Sequence, residues 1–209
     1  MQKTMIKISA VLLIFSILTA CSKNQFTDLS GFIYSFNRVS EKEIEFEDVY
    51  SYSDNDDLVY EIFFDGEEPD VVMKLISENG RIKQIRIAIA KVDENGNPVT
   101  PSADTISSFL KITESSISAY CSLEKEKAES ITESFGLYKR ENYAKEGELT
   151  LNEGEFKFIY YSDSFVCDFM ISNNFLHITE PTEKPQSKPA YGNTTNIRGE
   201  TTPLPTFKR

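Results

Sequence analysis

The stretch VVMKLISENGRIKQIRIAIA, residues 71–90, reads as two strands joined by a tight turn. Val71 to Ile76 makes the first run. Asn79-Gly80 supplies two residues that tolerate a left-handed backbone, and Ile85, Ile87 and Ile89 then alternate with Arg86, Ala88 and Ala90. Period-2 alternation gives one apolar face, the pattern of an antiparallel sheet covered on one side. Upstream, Leu58, Tyr60, Ile62 and Phe64 alternate in the same way, and Ile44 and Phe46 alternate with Glu43, Glu45 and Glu47. Together these runs predict an antiparallel meander of about four strands. Before it, Leu29, Phe32, Ile33 and Phe36 fall at i, i+3, i+4 and i+7 behind a capping Thr27, which predicts an amphipathic helix over 28–38.

The second half repeats the logic in another order. The loop Asp93 to Pro98 ends the first meander, and Thr100-Pro101-Ser102 offers a helix start. Ile106, Phe109, Leu110, Ile117 and Cys121 share one face of a helix running to about Cys121. A second helix begins near Ser122, turns Leu123, Ala128, Ile131 and Phe135 inward, and stops at Gly136. Leu149 to Leu151, Phe156 to Tyr160 and Phe165 to Ile171 then make another meander. The fold class is α+β, with antiparallel meanders packed on one face by amphipathic helices. The order reads as two similar units in tandem, 27–98 and 99–179. It resembles tandem helix-plus-sheet proteins such as the beta-lactamase inhibitory protein and the small lipoproteins of the outer-membrane assembly machinery, a likeness of element order alone.

The two ends differ from this body. Lys3 and Lys7, an apolar run from Ile8 to Leu18 and then small residues have the layout of an export signal over 1–20, too short for a comfortable membrane span. Leu18-Thr19-Ala20-Cys21 closes it and resembles the lipobox of bacterial lipoproteins. That resemblance implies a diacylglyceryl group on the Cys21 thiol, cleavage just before it, a short tether over 21–26, and an extracytoplasmic domain held at a cell membrane by lipid, palmitate among the chains it carries. Two or more acyl chains anchor stably where one would not. At the far end, residues 180–209 hold five of the eight prolines with many Thr, Lys and Asn, a composition that predicts a disordered tail.

Charge narrows the function classes. The chain carries −11 overall; the signal and the tail are each net +2, so residues 21–179 carry −15. A body this acidic is repelled by phosphate backbones, and no nucleic-acid partner is expected. Nor do the residues assemble a catalytic or cofactor motif. His177, the single histidine, sits in an apolar run where a structural role fits better than that of a base for Ser or Cys chemistry. One His without a Cys-x-x-Cys gives no zinc ligand set. Asp93-x-Asn95-x-Asn97 begins like a calcium loop, but Pro98 stands where glycine is required and Asp104 where glutamate is, so a turn explains it better. No metal and no cofactor is expected.

What remains is surface. Glu43, Glu45 and Glu47 line up on one strand face, as a docking stripe for a basic partner, as a weak divalent-cation site, or as charges that discourage edge pairing. Tyr50, Tyr52, Tyr160 and Tyr161 are candidates for amphipathic contact area or for core positions. Cys121 and Cys167 fall on apolar faces as two buried thiols, with a disulfide between them the alternative in an oxidising compartment. The leading expectation is a lipid-tethered, non-enzymatic module that binds an envelope protein or peptide through an open sheet face. The alternatives are an envelope hydrolase using paired carboxylates, which thirty acidic residues between Cys21 and Thr179 leave open, and a small-ligand receptor.

Overall fold

The computed structural model describes residues 27–64, 71–93 and 95–174, with two short segments at 194–196 and 201–202. Its architecture is α+β. Helix α1 (Leu29–Val39) precedes strands β1 (Val49–Asp54), β2 (Asp57–Phe64), β3 (Val71–Glu78) and β4 (Arg81–Ala90). Helices α2 (Ala103–Cys121) and α3 (Lys125–Ser134) follow, then β5 (Gly147–Glu153), β6 (Phe156–Ser162) and β7 (Val166–Asn173).

All seven strands lie in one antiparallel sheet, in the order β5-β6-β7-β4-β3-β2-β1. The two meanders are therefore halves of a single layer, joined where β4 pairs with β7 from Gln84↔Ser172 to Ala90↔Val166. The reason is visible in the central strands. Ile85, Ile87 and Ile89 stand directly opposite Ile171, Phe169 and Cys167, so the apolar faces of both meanders meet in register and share one core. Each meander alone would leave that row at an unprotected edge.

The described helices pack on this face. Phe36 of α1 lies on Phe64, Phe135 after α3 meets Phe169 edge-on, and Phe109 of α2 meets Tyr143, which in turn meets Tyr160. The caps follow the sequence closely. Asp28, one residue after the expected Thr27, accepts from the Gly31 N–H at the start of α1, and Ser102 accepts from the Thr105 N–H at the start of α2.

Two expectations change. Residues 43–47 form no strand: Ile44 is buried, but Phe46–Asp48 is a 3-10 turn and the first strand begins only at Val49. Asn37 is the cause, because its amide gives Ile44 both bonds that a neighbouring strand would. The Asn37 Nδ2 donates to the Ile44 carbonyl and the Ile44 N–H donates to Asn37 Oδ1, each at 2.9 Å. The segment is thereby clamped to α1 instead of joining the sheet.

The tail also contains paired backbone. Short strands β8 (Thr194–Asn196) and β9 (Thr201–Thr202) continue the sheet beyond β1, with Ser51 opposite Thr195. Threonine favours extended backbone, and the β1 edge offers groups to pair with. The rest of 180–209 lies outside the described residues, as do Cys21, the export signal and His177.

Candidate functional site

The three glutamates do come together, though not on a strand. With α1 they line a shallow open groove of about 360 Å³, bordered by Ile33, Tyr34, Asn37, Ile44 and Phe46. Helix α1 buries Phe32, Ile33 and Phe36, and Tyr34, off that stripe, is turned outward and 67% exposed. The Asn37 clamp fixes Ile44 as the floor, and the 3-10 turn tips Phe46 outward to 42% exposure. Glu43, Glu45 and Glu47 are all exposed around it.

The start of the acidic run is tied to the second helix, where Lys111 Nζ donates to Glu41 at 2.7 Å. That hydrogen bond and its charge attraction lower the Glu41 pKa and raise that of Lys111. Both groups are well exposed, so the pair orients the run more than it stabilises it. Tyr34 and Phe46 thus border an aliphatic floor of Ile33 and Ile44, with the carboxylates of Glu43, Glu45 and Glu47 around it.

The face of the sheet away from the helices is built differently. Tyr50, Glu61, Lys74, Arg86, Met170, Ile159 and Thr150 form a single row of directly opposed residues across strands β1 to β7. Its charges are answered internally. Lys74 pairs with Glu61 at 2.8 Å and donates to the Tyr52 hydroxyl, while Arg86 Nε donates to Asp168 Oδ2 at 3.0 Å. Burial alone would pull the Lys74 and Arg86 pKa values down, but Glu61 and Asp168 override it and both stand above their ordinary values. The second carboxylate oxygen of Asp168 is buried without a hydrogen-bond partner.

Of the tyrosines singled out in the sequence, Tyr50, Tyr52 and Tyr161 belong to this face and Tyr160 to the core. Tyr50 meets Phe63 edge-on and Tyr161 donates to Asp163.

Asp93 closes its own turn, accepting from the N–H groups of Asn95 and Asn97 and from the Asn97 amide, and these bonds hold its pKa below the usual value. The carboxylate is thus occupied by the loop that carries it. Among the described residues no cluster of three His, Cys, Asp or Glu is placed to hold a metal ion.

Cys121 and Cys167 are both buried as free thiols. Tyr120, beside Cys121, packs on Phe156 at one end of β6, whereas Cys167 pairs with Ser162 at the other. Six residues of strand span roughly 20 Å, well beyond disulfide reach. Burial pushes the Cys121 thiol well above its ordinary pKa, and Cys167 rests against the hydroxyls of Tyr160 and Ser162 at 3.4 Å.

The alternation in 43–47 drew attention to the glutamates but put them on a strand that does not form, and it gave no hint of Tyr34, Asn37 and Phe46 as their companions. Tyr34 was readable as exposed, because it falls off the apolar stripe of its helix. Asn37 carried no signal, since a clamping amide looks like any polar residue at a helix end.

Fold and surface define a class: a one-sheet α+β domain with helices on one face and an acidic, aromatic-walled groove beside its first helix. Comparison of the chain with protein-family models, curated proteins and solved structures finds no match to any of them.

Proposed function

We propose that this chain is a non-enzymatic binding module of the cell envelope, tethered by lipid at Cys21, whose groove beside α1 takes a short basic and apolar segment of a partner protein or peptide. The observation that carries the reading is the pairing of exposed Tyr34 and Phe46 with Glu43, Glu45 and Glu47 around one apolar floor. An exposed Phe46, and an exposed Tyr34 whose ring already carries Arg38 at 5.8 Å, stand beside concentrated negative charge and favour a ligand that brings both apolar surface and cations. The open sheet face supports the reading less, because its ion pairs already satisfy one another.

The tether and the groove are tested separately. Cys21→Ala in the full chain is expected to shift the protein from the membrane fraction to the soluble fraction; unchanged sedimentation with membranes removes the anchor. For the groove, the probes are a labelled Lys-Leu-Lys-Leu-Lys peptide and its Glu-for-Lys counterpart, followed by fluorescence anisotropy. The basic peptide is expected to bind, to weaken as salt is raised, and to lose at least about tenfold in affinity when Glu43, Glu45 and Glu47 are all changed to Gln or when Phe46→Ala is made. Equal binding of both peptides, or indifference to these changes, refutes the groove as the site.

A further inference from the structure

The outer edge of β5 carries a pattern that none of the other surface features shares. Strand β5 is the terminal strand on its side of the sheet and pairs only with β6 among the described strands. It is seven residues long, its register against β6 runs unbroken from Gly147↔Ser162 to Glu153↔Phe156, and it contains no proline, lysine or bulge. These three are among the devices that stop an edge from pairing, and β5 lacks them, its charges being Glu148 and Glu153 alone.

Its backbone groups divide cleanly. Glu153 and Phe156 close a two-residue turn, Gly154-Glu155, with Gly154 at φ +61. In such a hairpin the closing residues exchange hydrogen bonds, and the pattern then alternates. The N–H and C=O of Gly147, Leu149, Leu151 and Glu153 thus point to β6, and those of Glu148, Thr150 and Asn152 point away from it.

We infer that β5 is a self-association edge, pairing antiparallel with β5 of a second copy about a two-fold axis through Thr150. In that register Thr150 faces Thr150 of the other copy and Glu148 faces Asn152 in both directions, so every outward backbone group of the three residues finds a partner. Leu149 faces Leu151 on the helix side, covering a leucine that is 51% exposed in the single chain. No two like charges stand opposite one another. Glu153 is already neutralised by Lys127 at 2.8 Å, which leaves Glu148, opposite a neutral amide, as the one carboxylate facing the seam among the paired residues. The negative charge of the remaining body is largely screened over a Debye length of about 8 Å at physiological salt. A partner of different sequence would not supply this symmetry.

Cysteine cross-linking in the full chain, oxidised in the cells that make it, reads the register directly. Directly opposed residues of a hydrogen-bonded pair lie about 5.5 Å apart at Cα, within disulfide range. Thr150→Cys is therefore expected to give a disulfide-linked species at twice the mass of the monomer, lost on reduction. Asn152→Cys alone is expected to give none above the unmodified chain, since position 152 lies roughly 13 Å along the strand from its own copy. Co-expressed Glu148→Cys and Asn152→Cys chains are expected to link to each other. Adding Thr150→Pro to that pair removes an outward N–H and no bond to β6, so the cross-link should fall at least about tenfold while circular dichroism stays unchanged. Absence of the Thr150→Cys dimer, or equal cross-linking at positions 150 and 152, overturns the inference.

Discussion

Single residues decide how the two faces of the sheet differ. On the helix-free face Asp168 is 5% exposed, is held by Arg86 through one oxygen and leaves the other unpaired. Arg86→Met removes the one counter-charge that the carboxylate contacts among the described residues, and should destabilise the protein by about 3 kcal/mol, read as a lower urea midpoint at unchanged slope. Arg86→Met combined with Asp168→Leu should recover most of that loss, because the isolated buried charge is what costs. A double variant as unstable as the single one would show that packing, not charge, is responsible. The sequence made Arg86 visible as the polar member of an alternating strand. It gave no sign of Asp168 as its partner, since 82 residues separate them.

Elements were legible where period and punctuation agreed, and illegible where one side chain overrode the pattern. The helices stand close to where apolar spacing, Ser102 and Gly136 put them. The expected strand at Ile44 and Phe46 is absent because Asn37 captures its backbone, a long-range contact that no local pattern encodes. At the other end of the helical layer, Gly136 turns the chain after α3 at φ +70, and a Cβ there would lie 2.4 Å from Asn142 Nδ2, the group that donates to the Gly136 carbonyl. Gly136→Ala should therefore cost about 2 kcal/mol, part from the left-handed backbone and part from the broken Asn142 bond. Gly154→Ala shares the positive φ but meets nothing within 4 Å, so it should cost only about 1 kcal/mol. Equal losses in thermal or urea unfolding would mean that the Asn142 contact contributes nothing.

For the molecule as a whole, the response to alkali follows from how its phenols are buried. Tyr120 and Tyr143 donate to the carbonyls of Ile82 and Leu137, Tyr160 donates to Cys167, and burial raises all three above the ordinary value of 10.0. Above pH 10 the unfolded chain releases phenol protons that the folded chain keeps, so stability is intact below that pH and falls as it rises. Lys74, also raised, loses its contribution in the same direction at higher pH still, whereas Arg86 keeps its charge throughout. Urea midpoints measured from about pH 8 to about pH 11 should be flat and then decline. Tyrosinate absorbance from the buried phenols should appear in step with loss of near-ultraviolet circular dichroism. Titration of every tyrosine before unfolding would contradict the burial. Composition and alternation were enough to give an α+β layer of meanders. They were not enough to join the two meanders, because a row of isoleucines looks the same whether it faces an edge or another strand.

That junction has a consequence in time. Each meander is held by neighbours close in sequence, whereas the pairing of Ile87 with Phe169 closes a loop of about eighty residues that includes α2 and α3. The hairpins can form early and independently, and closure of the seam between β4 and β7 is expected to be the late, slow step of folding. Until it closes, two apolar sheet edges stand open on a newly made chain. The protein is most vulnerable to misassembly in that interval rather than in its finished state.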